Sequence, residues 1–191
     1  MLDKIFKPIY NNLKLVSIIL ITLSLSIFFY YLSRSIMGID KVFPFGSNMV
    51  DREIIFIPHF LYMKPVTLIM LLGYTGFLCG MFHLDKSWGY TLREHEYIIL
   101  ELIAGVLLFV TIYEVIFNFM LWSALITSIA ENGVVIGDID LLVNQFPNPA
   151  QPWDLVFATK VFYTFSITSG TALYFLEKWR RYKKLYDRLP R

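Results

Sequence analysis

The 191-residue chain is 57% hydrophobic and only 17% charged, with a mean hydropathy of +0.58, whereas soluble domains carry about 25% charged residues. A formal net charge of +2 gives no reason to expect nucleic acid as a partner, and the single Cys79 excludes an internal disulfide and paired-cysteine redox or zinc chemistry within the chain. A bilayer span needs about 20 apolar residues. Four such windows fit, so one membrane domain over residues 1–191 is expected: an all-α, integral membrane, antiparallel four-helix bundle with lipid as its solvent.

Residues 1–14 form a basic lead with Lys4, Lys7 and Lys14. Residues 15–33 are uncharged and rich in Leu, Ile and Ser, and they are read as the first span. A secretory signal is the rival reading. It would have a shorter apolar region ending in small residues, whereas this run is longer and ends in Phe28, Phe29, Tyr30 and Tyr31.

The first outer loop, 34–64, mixes Asp40, Lys41, Asp51, Arg52 and Glu53 with the breakers Pro44, Gly46 and Pro58. Its apolar stretch 54–63 is expected to lie on the membrane surface or against a partner. The second span, 65–84, opens on Pro65, which suits a first helical turn. Gly73, Gly76 and Gly80 are three and four apart and share one helix face. Small residues there let two helix backbones approach closely, and internal packing is expected over a homodimer face.

A short turn with Trp88 and Gly89 leads to Thr91 and Glu94, spaced as a capping box, so a third helix is expected from about Leu92. Its span covers about 97–125, and Asn132-Gly133 supplies a stop. Such a helix would run roughly 55 Å, well beyond a hydrocarbon core of about 30 Å, so it must tilt, project or break. The second outer loop, 131–153, carries Asp138, Asp140, Pro147, Pro149 and Pro152 and no Lys or Arg. The fourth span, about 154–176, is the most polar, and the basic tail 177–191 follows. Tail, lead and middle turn hold twelve of the seventeen Lys and Arg residues. The positive-inside rule then puts both termini in the cytoplasm, as expected for a multi-pass cell-membrane protein.

Glu114 is the sharpest chemical feature. An acid inside a span costs at least a few kcal/mol and normally faces protein or water with a partner. Thr111, Glu114 and Asn118 lie on one face. Lys160 sits just inside the outer end of the fourth span, and a buried Glu114–Lys160 ion pair is expected, completed by Thr111, Asn118 or Thr164. The rival is a proton or ion pathway through Glu114. Glu101 falls roughly opposite Glu114 around the helix and is expected to reach water, Arg93 or the tail.

Cys79 and His83, four apart, offer two ligands to one metal, copper or zinc by softness, with His95, Glu101 or Met81 as further donors. The simpler reading is a packed cysteine and an interfacial histidine, because a closed zinc site takes four ligands. His83 and His95 as axial haem ligands sit poorly at the membrane edge with a turn between them. Asp138 and Asp140 are read as a solvated turn, two carboxylates being too few for calcium. No Ser–His–Asp set, phosphate loop or HExxH occurs, so no cofactor and no catalytic residue are assigned.

The tract from Phe146 through Pro147, Pro149, Pro152, Trp153 and Asp154 to Lys160 resembles outer-loop-to-helix junctions in small membrane proteins of ammonia-oxidising archaea. Some of these accompany the membrane-bound copper ammonia monooxygenase as accessory subunits. The resemblance covers about the last third of the chain and rests on no named motif. The core subunits of that enzyme carry dense His, Asp and Glu sets, which three scattered histidines do not match. The resemblance therefore implies a companion subunit away from the copper site. The expected function is a non-catalytic accessory subunit of a larger membrane complex, with other integral membrane subunits as partners docking on 54–63 and 134–146. The alternative is a small stand-alone transporter or channel using Glu114.

Overall fold

The computed structural model describes residues 12–39, 46–57, 61–87, 92–131 and 154–186. Helix α1 spans Leu13–Ile36 and is followed by a short helix α2, Ser47–Val50. Strands β1 (Ile54–Ile57) and β2 (Leu61–Met63) come next. Three long helices follow among the described residues: α3 (Pro65–Ser87), α4 (Glu94–Glu131) and α5 (Leu155–Tyr186). Apart from one small hairpin, the regular structure among the described residues is helical.

By length and composition α1, α3 and α4 can each cross a membrane. At 32 residues α5 is long enough, but its Ser, Thr and Lys content keeps it out of that group. It is shielded by packing instead, for it touches both α3 and α4.

The order of the helices in space is α1–α3–α5–α4. Helices α3 and α4, consecutive in the chain, barely touch. The expected four-helix bundle takes the form of an open layer, because α5 inserts between its two predecessors. Directions alternate along the chain. Ser17 of α1 meets Gly76 while Ser24 meets Ile69, so α1 and α3 are antiparallel. Thr67, Tyr74 and Asp85 of α3 meet Lys160, Thr171 and Lys178 of α5 in rising order, so the two central helices run parallel.

Helix starts follow local chemistry. Pro65 occupies the first position of α3, where its missing N–H is no loss, and Lys64 O accepts from Leu68 N at 3.1 Å. In α4, Glu96 reaches back to accept from Arg93 N at 2.7 Å, half of a capping box set two residues after the predicted one; Thr91 lies outside the described residues. Asp154 Oδ1 accepts from Phe157 N at 2.8 Å and so caps α5. Its other oxygen accepts from Ser47 Oγ at 3.3 Å, which ties the fully buried α2 to the start of α5. Gly46 holds φ +99° there, with the Phe157 ring where a Cβ would stand.

The stretch 54–63, expected on the membrane surface or against a partner, is the hairpin. Ile54 pairs with Met63 and Ile55 with Tyr62, with an irregularity before Ile57–Leu61. β-branched residues favour this pleated form. Glu53 and Lys64 close its open end at 3.3 Å. Ile55, Phe56, Ile57 and Tyr62 are all exposed.

Candidate functional site

Each of the two helix pairs has a polar seam, and the seams are built differently. On α3, Gly73, Gly76 and Gly80 all face α1. A Cβ on Gly76 would stand 2.8 Å from Ile21 Cγ1 and 3.1 Å from the Ile21 backbone nitrogen. Ser17 Oγ donates to Gly76 O and Ser24 Oγ to Ile69 O, each at 2.7 Å. The hydroxyls thus share α3 carbonyls that already serve its helix, and the apposed surfaces leave no room for larger side chains.

The second seam lies between α4 and α5. The buried side chains described on α4 are Tyr97, Ala104, Thr111 and Asn118, spaced every seven residues. That period keeps one stripe on a neighbouring helix. Thr111 Oγ1 donates to Leu107 O at 2.7 Å and receives Ser166 Oγ of α5 at 2.9 Å. One spacing further, Asn118 is buried, and among the described residues its Nδ2 has no partner.

Glu114 is half-buried on the edge of this stripe, in line with Leu100 and Leu107. With the described residues it makes no hydrogen bond and no ion pair. The expected bond to Lys160 does not form: Lys160 Nζ donates to Thr67 Oγ1 of α3 at 3.0 Å. The reason is helical phase. Lys160, Thr171 and Lys178 are 11 and then 7 residues apart, which returns each to about the same face, and that face is turned to α3. Ser166, about 120° away around the helix, faces α4.

At the basic end of the molecule α5 continues as helix beyond its apolar part and packs on the end of α3 and the start of α4. Asp85 accepts from Lys178 Nζ and from Trp179 Nε1, both at 2.6 Å. Arg180 binds Glu94 through Nε at 2.9 Å and Glu101 through Nη1 at 2.9 Å. Glu101 thus meets the tail, one of the outcomes expected of it. The Arg180 hydrogen bond and charge hold the Glu94 carboxyl below the usual range, and Arg181 does the same for Glu177. Glu94 in turn raises the Arg180 guanidinium further above its ordinary value.

Between α3, α4 and α5 lies an apolar cleft of about 430 Å³, lined from Phe77, Met81 and Leu84 on one side to Leu100, Ile103 and Leu107 on the other. Phe165, Ala172 and Trp179 of α5 form part of its floor.

Cys79 and His83 are half-buried on α3. Among the described residues no three His, Cys, Asp or Glu side chains converge on a metal position. His95 is exposed on the first turn of α4. Asp138, Asp140, the loop 134–146 and the junction up to Trp153 lie outside the described residues. Sequence reasoning missed Ser17 and Ser24, although their seven-residue spacing within the uncharged run 15–33 was a visible signal. It also missed Asp85, bound by Lys178 and Trp179, and Arg180, bound to Glu94 and Glu101, because only the folded tail makes these contacts.

Comparison with protein-family models, curated proteins and solved structures finds no match. The fold defines the class: a helical chain with several helices long and apolar enough to cross a membrane, consistent with a membrane location.

Proposed function

We propose that the chain is a non-catalytic structural subunit of a larger membrane complex, crossing the bilayer four times with both termini in the cytoplasm. The observation that carries this reading is Glu114. It sits in mid-helix on the open edge of α4 and has no counter-charge among the described residues. An acid in that setting takes a partner, and a neighbouring subunit's donor or cation supplies one. The exposed apolar hairpin offers a further contact outside the bilayer.

The alternative, a small transporter using Glu114, needs a relay of free polar groups. The nearby hydroxyls of Thr111 and Thr164 already donate within their own helices, and that of Ser166 is held between Thr111 Oγ1 and Phe162 O. That favours the structural reading. The resemblance of the tract 146–160 makes the archaeal copper ammonia monooxygenase the first complex to test, with this chain outside the copper site.

Purification from native membranes in mild detergent tests the proposal. The chain should co-migrate with larger membrane proteins, and Glu114→Leu should weaken that association while leaving the isolated fold intact. Wild-type protein that runs alone or as a homo-oligomer, and that carries a flux abolished by Glu114→Gln, overturns the reading in favour of the transporter.

A further inference from the structure

We propose that the cleft between α3, α4 and α5 is a binding site for one acyl chain of an anionic phospholipid, with its phosphate held at the basic end by Lys183 and Arg93. The wall and the mouth of the cleft carry this independently of the accessory-subunit reading.

The wall is almost wholly apolar and half-exposed. Leu100, Ile103 and Leu107 line it and keep 40%, 51% and 47% of their surface. The gap stays open because α3 and α4 barely touch. Within a bilayer the medium that meets such a gap is hydrocarbon. From Leu92 to Leu107 the lining runs about 22 Å along the helix direction. One leaflet contributes about half of a 30 Å core, so an acyl chain can lie along the cleft for its full length.

The mouth selects the headgroup. Leu92 and Trp179 line the basic end of the cleft. Lys183 Nζ donates to Leu92 O and stands 5.7 Å from the Tyr97 ring centre. Its ammonium is therefore fixed at the rim. Arg93 is the next residue after Leu92. Lys178 and Arg180 are neutralised by Asp85, Glu94 and Glu101. Lys183 and Arg93 have no carboxylate partner among the described residues. Lys183 lies within the field of Glu94 but, like Arg93, makes no ion pair among the described residues, and two such cations at the headgroup level attract a phosphate that carries net negative charge, whereas a zwitterionic headgroup gains far less.

Trp179 on the cleft floor makes the test direct. The full chain with Trp88, Trp122 and Trp153 replaced by Phe is reconstituted in phosphatidylcholine nanodiscs. Phosphatidylglycerol or phosphatidylcholine brominated on the acyl chain is then added. Quenching of Trp179 should saturate at a far lower mole fraction for the anionic lipid. Lys183→Gln and Arg93→Gln should each raise that fraction about fivefold. Native mass spectrometry of the wild-type protein should show one retained anionic phospholipid. Equal quenching by both lipids in proportion to their bulk fraction overturns the proposal. So does a cleft that neither lipid reaches because a second copy or another polypeptide helix occupies it, seen as crosslinking from a photoreactive residue at Ile103.

Discussion

The α1·α3 and α4·α5 pairs solve the same problem in opposite ways. Both pack antiparallel helices with polar residues at seven-residue spacing: Ser17 and Ser24 in one, Thr111 and Asn118 in the other. In the first pair the Ser17 and Ser24 hydroxyls each find a carbonyl across the interface, and glycines bring the backbones together. In the second, side chains meet side chains and an amide is left over. The residue Gly170 of α5 shows the looser fit: a Cβ there would meet only Leu108 Cδ1, at 4.0 Å. A tight seam completes itself within the chain. A loose one leaves groups for something else to satisfy.

The contrast is most readily broken at Gly76. Gly76→Leu should cost about 2–3 kcal/mol through overpacking against Ile21, read as a lower midpoint in denaturing-detergent titration. Gly170→Ala should change that midpoint little. An equal loss at both positions would erase the distinction between the seams. Asp85→Ala should cost about 1–3 kcal/mol, because Lys178 and the Trp179 indole both lose their acceptor. Trp179 emission should report the loosened tail. Ser17→Ala and Ser24→Ala should each cost about 0.6 kcal/mol, the typical value for a hydrogen bond between membrane helices. Asn118→Leu should be neutral or stabilising in the isolated chain, since the Nδ2 amide loses no partner among the described residues.

The smallest effect is electrostatic. The Glu94 carboxyl has its pKa lowered by Arg180 in the folded chain. Its contribution is therefore present above the ordinary glutamate value of about 4.3 and is lost as pH falls through the lowered value. Tail docking, followed by hydrogen exchange over residues 177–186, should weaken only below about pH 4.3. It should also weaken with added salt, because Glu94 is exposed and screened. Weakening at pH 6 instead would point to a histidine and away from this pair.

The long apolar helices were legible because lipid demands them: uncharged runs of 20 residues have few other uses. The glycine face of α3 was legible too, since three small residues on one stripe have a geometric meaning in any helix. The buried stripe of α4 was not. In a membrane the residues facing lipid are as apolar as those facing protein, so Tyr97, Ala104, Thr111 and Asn118 do not stand out from Phe109 or Met120. Lys160 was misassigned for a related reason. Depth in the membrane can be estimated from position along the chain, but the side toward which α5 turns depends on which helix lies next to it. The expected bundle placed α4 there, and α3 takes that side. The hairpin was legible in principle from Ile54-Ile55-Phe56-Ile57, but its apolar character pointed equally to a membrane surface.

Helix α5 is fastened at both extremities. Asp154 grips Ser47 at one end, and Trp179 with Arg180 grips Asp85, Glu94 and Glu101 at the other. Some 25 residues of rigid rod lie between these clamps. The rod cannot rotate at one end without straining the clamp at the other, so it behaves as an axle locked against torsion. Whatever fixes that rotation also decides which of its faces each flanking helix meets.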